Sequence, residues 1–245
     1  MKPGIIAANR RRQVPGSDPY WSDVVGLWGW EAANPNHLLD ESSFGNNLSS
    51  NGSFGRSTDF AAFGGASAGR TGAGGASRAT RSHDSDFVFS GAFTIELWHR
   101  FRDAGNAMGT TVGLAAKWLE TGNQRGWALT GFTGGVLRGM LSADGSTAGL
   151  TLTGTTAYTP QVWHHICLER DGSGLVRLYL DGVVEASGTF GSALFNNTGA
   201  DLEIGGYNGG NGNPAGYRLD EVRITKDVAR YNGAFTPPAA AFPRF

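Results

Sequence analysis

The sequence predicts an all-β protein built as a two-sheet antiparallel sandwich. Three features of the composition favour this class: 39 of the 245 residues are glycine, 14 Phe, 7 Trp and 6 Tyr supply bulky side chains, and only 17% of the residues are charged. Short apolar segments alternate with turns rich in Gly, Asp, Asn and Ser, and helical periodicity is nearly absent. Aromatic side chains would then fill the space between two sheets.

Length and charge narrow the classes of function. A chain of 245 residues can form one large sandwich, and we expect a single domain over residues 21–245. The formal net charge is -1, so nucleic acid and anionic membranes are not expected as partners. Cys167 is the only cysteine, which excludes a disulfide within the chain and a thiolate zinc cluster, and we expect its thiol to be buried.

Residues 1–20 are predicted to form an extended arm. They show no hydrophobic periodicity, contain three prolines and carry the run Arg10, Arg11 and Arg12. Such a segment can become ordered on a neighbouring protein, although an unordered tail fits the same composition. The apolar run near the start is shorter than the core of a signal peptide, and no stretch is long enough to predict a transmembrane helix.

Two segments give the clearest strand predictions. "WSDVVGLWGWE", which begins at Trp21, is a compact apolar run typical of a strand buried on both faces. "FTIELWHRF" has one apolar face, formed by Phe93, Ile95, Leu97 and Phe101. Its opposite face carries Thr94, Glu96, Trp98 and Arg100.

Turn signals divide the rest of the chain into short strands, about a dozen in all. Asp171-Gly172 and Asp181-Gly182 are predicted hairpin turns, because glycine after aspartate supplies the positive φ that such turns require. The glycine-rich segment from Phe63 to Ser77 fits either a flexible loop or a weak edge strand.

Four segments resemble, in the expected order, the laminin-G-like domains of the concanavalin A-like lectin/glucanase superfamily. They are "DESSFGNNLSSNG", "DFVFSGAFTIELWHRF", "VWHHICLERDGSGLVRLYLDG" and "GYRLDEVRITKDVARYNGAFTPPAAAFP". The resemblance covers residues 20 to 245 and is greatest to domains found in structural proteins of tailed bacteriophages.

The resemblance implies a jelly-roll sandwich in which the closing strand "LDEVRIT" lies beside the first strand. The segment after this strand would run back across the surface of the sandwich. Tyr231 and Phe235 would hold it there, while Pro237 and Pro238 would prevent further strand pairing.

We predict that the protein is not an enzyme. Glycoside hydrolases of this superfamily carry a strand with Glu-x-Asp-x-x-Glu or Glu-x-Asp-x-Glu, since retaining hydrolysis needs two carboxylates about 5 Å apart. Here Glu169 and Asp171 lack the third acid and fall at a turn. His164 and His165 point to opposite faces of a strand, so they cannot share a metal ion. A hydrolase with an unfamiliar carboxylate pair is the remaining catalytic alternative.

The resemblance also implies one structural calcium ion at the rim of the sandwich. The matching oxygen donors are Asp40, Asn46, Asp220 and Glu221. Calcium takes about six to eight oxygen ligands, and the loop over residues 40–47 offers several of them. An Asx-turn loop without metal explains the same residues.

Aromatic residues beside asparagines predict a sugar-binding site at the segment "GYNGGNGNPAGY" and a neighbouring loop. The candidate residues are Tyr207, Asn208, Asn211, Asn213, Tyr217, Trp118 and Trp127. Aromatic rings can stack on the apolar face of a pyranose while amides bond its hydroxyl groups. A hairpin loop whose asparagines serve only the turn fits the same pattern.

Together these observations and the resemblance predict a bacteriophage virion structural protein, either decorating the capsid or associated with the tail. The arm would dock on another virion protein, the sandwich would face outward, and copies of the chain could assemble. The alternative is a carbohydrate-binding module that attaches to a glycan on the host cell surface, and the two functions can coexist. The predicted location is the virion, after synthesis in the host cytoplasm.

Overall fold

The computed structural model describes residues 16–33, 36–71, 77–101, 111–210 and 216–245, and these form two stacked antiparallel sheets. The all-β prediction is confirmed. The helical elements in the described ranges are three short 3-10 turns, Trp21–Asp23, Asn36–Leu38 and Ser85–Phe87. None of them is long or apolar enough to span a bilayer.

The first sheet contains β1 (Val24–Trp28), β3 (Phe54–Ser57), β4 (Ser67–Arg70), β6 (Phe93–Phe101), β11 (His164–Arg170), β12 (Leu175–Leu180), β13 (Val183–Thr189) and β15 (Tyr217–Lys226). Its order is β13-β12-β11-β6-β15-β4-β3, and β1 pairs with β15. The closing strand therefore lies beside the first strand, as predicted.

The second sheet contains β2 (Ser49–Asn51), β5 (Arg78–Arg81), β7 (Val112–Leu119), β8 (Gln124–Phe132), β9 (Val136–Leu141), β10 (Leu150–Thr153) and β14 (Leu202–Ile204). Its order is β10-β9-β8-β7-β14-β5-β2. The glycine-rich segment from Phe63 to Ser77 contributes β4 to the first sheet, and residues 72–76 within it lie outside the described residues.

The main core lies between the two sheets and follows the predicted alternation. Phe93, Ile95, Leu97 and Phe101 of β6 all belong to it. In β1, Val25 and Trp28 also enter this core, whereas Val24 and Leu27 pack on the other side against Phe242. The first strand is therefore buried on both faces, as its apolar sequence predicts.

A β-bulge in β15 lets both halves of this strand face the core. Asp220 pairs with Trp98 and Arg223 with Glu96, so one extra residue is inserted between the two pairs. Glu221 has φ 47°, which marks the bulge. As a result Leu219 and Ile224 both point into the core although strict alternation would place them on opposite faces.

The outer face of the first sheet carries a buried ionic network. Arg223 donates through Nε and Nη2 to Oε1 of Glu96, at 2.9 and 2.8 Å, and through Nη1 to Asp18 Oδ2 at 2.9 Å. Arg230 donates to both carboxylate oxygens of Asp18. His165 lies 3.1 Å from the other Glu96 oxygen. Glu96 and His165 are fully buried.

The segment that follows β15 covers this network, as the resemblance implies. The rings of Tyr231 and Phe235 stack at 3.5 Å between centroids, and Phe235 meets His165 edge-on. The Tyr231 hydroxyl donates to Glu96 at 2.5 Å, and the Tyr231 amide donates to Glu169 at 2.7 Å. The segment thus buries charged side chains that would otherwise be exposed to solvent on the outer face of the first sheet.

Within the predicted arm over residues 1–20, Asp18 packs against the body of the sandwich. Asp18 is only 6% exposed, and its amide donates to the Phe245 carbonyl at 2.7 Å. The predicted arm had no apolar periodicity, but it carries one carboxylate that the network requires. Arg10, Arg11 and Arg12 lie outside the described residues.

The two predicted Asp-Gly turns have different outcomes. Asp181 and Gly182 both have positive φ, 50° and 79°, as a hairpin of this type requires. In the other turn the positive φ is at Gly174, at 87°, and Gly172 has an ordinary backbone conformation. The prediction is wrong for Gly172 because the Asp171 side chain builds a longer turn, accepting from the amides of Ser173 and Leu175.

We expect Gly182→Ala to destabilise the fold by at least about 1–2 kcal/mol, because positive φ is unfavourable for alanine. Its Cβ would also collide with the Phe235 carbonyl of the covering segment. Gly172→Ala is the matched control, since nothing lies within 4 Å of its Cβ. Urea unfolding should separate the two variants, and equal midpoints would contradict the assigned turn geometry.

We expect Glu96→Gln to cost about 3–5 kcal/mol of unfolding free energy, since it leaves buried guanidinium groups without their carboxylate. Asp227→Asn, at an exposed position, is the control and should have little effect.

The same variant should change the acid dependence of stability. Burial alone would raise the pKa of Glu96, but Arg223, the His165 hydrogen bond and Arg230 outweigh it and hold the pKa far below the ordinary 4.5. A lowered native pKa stabilises the fold above the unfolded pKa, and this stabilisation is lost as the pH falls below it. Wild-type stability should therefore decline below about pH 4.5 more steeply than that of Glu96→Gln; parallel curves would contradict this.

Candidate functional site

Three of the predicted sugar-binding residues come together at the outer face of the second sheet. They are Trp118, Tyr207 and Asn208. The ring of Tyr207 lies against Trp118, with centroids 6.5 Å apart and an angle of 28° between the planes. Both rings pack on a small apolar cluster separate from the main core, formed by Ala116, Ala128 and Met140. Tyr207 is half-buried and Trp118 is 3% exposed, so Tyr207 covers Trp118 and presents its own ring to solvent.

The backbone after β14 holds Tyr207 in this position. Glu203 accepts from the amides of Gly209 and Gly210, at 2.8 and 3.0 Å, and pairs with Arg78 at 3.1 Å. Gly113 of β7 lies directly beneath the loop, where a Cβ would collide with the Gly206 carbonyl. The close approach of loop to sheet therefore requires glycine at this position.

Glu120 joins the end of β7 to the loop. Its amide donates to Asn208 Oδ1 at 2.8 Å, and its carboxylate accepts from the Tyr207 hydroxyl at 3.3 Å. Burial, followed by the Glu120 charge and hydrogen bond, raises the pKa of Tyr207 to about 12. The phenol is therefore neutral at physiological pH, and its ring is fixed by hydrogen bonds to the neighbouring loop.

Several polar groups near this ring have no partner in the described chain. The indole Nε1 of Trp118, the hydroxyl of Thr130 and Nε of Arg138 are buried without a hydrogen bond in that part of the protein. Thr130 and Arg138 face each other across β8 and β9. Buried polar atoms without partners are uncommon, and these three atoms are inaccessible to solvent. We call the surface formed by Trp118, Glu120, Arg138 and Tyr207 the tyrosine face.

The remaining predicted sugar-binding residues do not join the tyrosine face. Trp127 is 1% exposed and donates through Nε1 to the Phe87 carbonyl, and Tyr217 is fully buried with its hydroxyl bonded to the Gly205 carbonyl. Both rings fill the core, so they are unavailable for stacking on a ligand. Asn211 and Asn213 lie outside the described residues.

The sequence prediction missed Glu120 and Arg138. Glu120 lies two residues after Trp118 at a turn, which is a usable signal, whereas Arg138 comes near the ring only through the register of β8 and β9.

The predicted calcium donors do not fit a metal site. Asp40 accepts from the amides of Leu27, Ser42 and Asn46, and Asn46 Nδ2 donates to Val25 and Asp86. In the first sheet, Asp220 accepts from the amides at 62, 63 and 221, and Glu221 binds Arg244. Within the described ranges no group of three or more His, Cys, Asp or Glu could hold a metal ion. These carboxylates already serve as turn and strand acceptors.

The histidine pair has separate roles in the structure. His164 contacts Asp181 at 2.6 Å, and His165 contacts Glu96 on the opposite side of the strand. Cys167 is buried as predicted. Glu96 and Glu169 share one sheet face, but both are fully buried beneath the segment carrying Tyr231, so this carboxylate pair has no open approach for a substrate.

The two stacked antiparallel sheets define a jelly-roll β-sandwich. A family model described as Laminin_G_3, concanavalin A-like lectin/glucanases superfamily, matches residues 73–231. The chain belongs to this superfamily, as its motifs indicate. A search of curated proteins finds no match.

Solved structures of toxin binding domains have a similar fold. The binding domain of Paraclostridial Mosquitocidal Protein 1 has a TM-score of 0.64 at 16% identity, over 89% of this chain and 50% of that one. The botulinum neurotoxin serotype G binding domain has a TM-score of 0.58 at 13% identity, over 85% and 48%.

A third similar structure was solved with a sugar. The ligand binding domain of botulinum neurotoxin serotype D, in complex with N-acetylneuraminic acid, has a TM-score of 0.57 at 12% identity, over 86% and 49%. The chain spans about half the length of all three structures. At these identities the likeness concerns the fold alone.

We expect Tyr207→Ala to expose Trp118, because the Tyr207 ring is its cover on the solvent side. The indole N–H resonance of Trp118, assigned with Trp118→Phe, should shift and exchange faster with water. Tyr207→Phe keeps the ring and should leave the resonance nearly unchanged. An unchanged signal in Tyr207→Ala would contradict this packing.

Proposed function

We propose that this chain is a non-catalytic carbohydrate-binding domain and that the tyrosine face receives the sugar. The observation that carries the proposal is the half-buried ring of Tyr207, packed over Trp118 and flanked by the exposed carboxylate of Glu120. An aromatic ring held in place can stack on the apolar face of a pyranose without losing side-chain entropy.

Polar groups beside the ring are suited to sugar hydroxyl groups. The Glu120 carboxylate accepts hydrogen bonds, and the Arg138 guanidinium donates them, so both kinds of partner lie near one stacking surface. The same arrangement of one apolar platform and a few polar groups is typical of small-ligand sites.

The comparisons support a binding role. The printed names of similar folds describe binding domains, and one of these proteins was solved with N-acetylneuraminic acid. The position of the sugar site on this chain rests on the tyrosine face and not on these likenesses.

A glycan array with the full chain tests this function. We expect binding to one class of sugar, and Tyr207→Ala should weaken it roughly two- to tenfold or more, the amount expected for loss of one stacking ring. Phe44→Ala removes an aromatic ring that is 43% exposed on another loop and serves as the control. Signals no higher than background for the wild type would contradict the proposal.

We further propose that the domain is displayed on a bacteriophage virion as a structural protein of the capsid or tail. The support is the resemblance of the four sequence segments to tailed-phage domains and the composition of residues 1–15, which carry Arg10, Arg11 and Arg12 ahead of the sandwich. These residues would contact another virion protein, and the body would begin near Asp18.

Deleting residues 2–15 tests virion display while keeping Asp18. We expect an unchanged melting temperature, because the deletion stays outside the ionic network. The truncated chain should no longer be incorporated into particles. A truncated chain that still decorates particles at wild-type occupancy would contradict anchoring by this segment.

A further inference from the structure

Arg138 on the tyrosine face has no anionic partner. Its guanidinium carbon lies 3.2 Å from the centroid of the Phe132 ring, and its Nε is buried without a hydrogen bond. In the described chain no carboxylate lies within ion-pair distance of it, whereas nearby Arg78 is paired with Glu203. A half-buried guanidinium without a counter-ion is unfavourable unless a ligand supplies one.

The surrounding charges leave the tyrosine face positive. Arg125 donates to Asn123 Oδ1 and the Gly145 carbonyl, which are neutral acceptors. Both Arg125 and Arg138 act electrostatically on the Tyr207 hydroxyl. Glu120 is the exposed carboxylate that contacts this hydroxyl, so two cationic groups stand against one anionic group at the ring.

We infer that the sugar bound at the tyrosine face carries a carboxylate, as uronic and sialic acids do, and that Arg138 binds this carboxylate. The inference rests on the proposed function. The guanidinium packs on the Phe132 ring, and a guanidinium can bind a planar carboxylate through two parallel N–H groups. Tyr207 would stack on the sugar ring while Arg138 selects its charge.

The position of Arg138 makes it a specificity residue. It shares the outer face of β9 with Met140, which belongs to the apolar cluster under Tyr207. Thr130 lies opposite Arg138 on β8, with its hydroxyl buried. A neutral sugar could still stack on Tyr207 but would leave the guanidinium unpaired.

The test compares each acidic sugar with its own methyl ester, which keeps the shape and removes the charge. The probes are oligomers of galacturonic acid, oligomers of glucuronic acid and glycans ending in N-acetylneuraminic acid. We expect the full wild-type chain to bind at least one acid about tenfold or more tightly than its ester, the effect of one charge-assisted bidentate contact. This preference should weaken as salt is added.

Arg138→Gln should remove the preference for the acid, so that the acid and its ester bind with equal affinity. Arg138→Lys should retain part of it, because lysine keeps the charge but loses the fork geometry. Arg177→Gln, on the first sheet, is the control and should retain the full preference. Thermal unfolding of each variant checks that the fold is intact.

The possible outcomes separate the inference from the proposed function. If the wild type binds acid and ester equally, or if Arg138→Gln keeps the preference, the inference is overturned and sugar binding stands. If only neutral sugars bind, the inference is likewise overturned. If no sugar binds and Tyr207→Ala changes nothing, both the inference and the proposed function fail.

Discussion

The buried ionic network centred on Arg223 is the interaction on which the rest of the structure depends. It joins Asp18 near the start of the described chain to Glu96 in β6 and to Arg230 beyond β15. These groups are almost inaccessible to water, so each charge is costly unless all its partners are present. The network therefore forms only when three distant segments occupy their native positions. It stabilises the fold and also favours the native register of the strands that carry its charged groups.

The same network determines which face of the sandwich is available for binding. The segment carrying Tyr231 and Phe235 must cover the first sheet, because an open face would leave Glu96 and Arg223 in contact with water and separated from their partners. That segment therefore covers the outer face of the first sheet over β6, β11 and β12. On the outer face of the second sheet, Tyr207 and Trp118 pack over Ala116, Ala128 and Met140, and Tyr207 is half-buried.

Side-chain alternation made much of the fold predictable, and β-bulges mark where prediction failed. The faces of β6 and the burial of β1 on both sides follow from the order of apolar residues. Trp118 and Trp127 lie on paired strands, and the sequence makes both equally good candidates for an exposed sugar-binding position. A register shift between Gly113 and Ala115 changes the alternation in β7, so Leu114 lies in the core and Trp118 on the outer face, while Trp127 of β8 stays in the core. Residue type carries no signal of such a shift, because core and binding surface both use aromatic rings.

The candidate site depends on the same local irregularities. Gly113 allows the loop after β14 to cross the sheet, and Glu120, just beyond β7, then reaches both Tyr207 and Asn208. Pairing of the strands brings all of these residues together without a ligand. The Tyr207 ring is therefore already in position, and ligand binding does not have to order it. Arg138 differs from these residues: its position follows from strand pairing, and its charge contacts the Phe132 ring but no carboxylate in the described chain. Among the cationic side chains near the Tyr207 ring, Arg138 is therefore the one best suited to bind an anionic ligand.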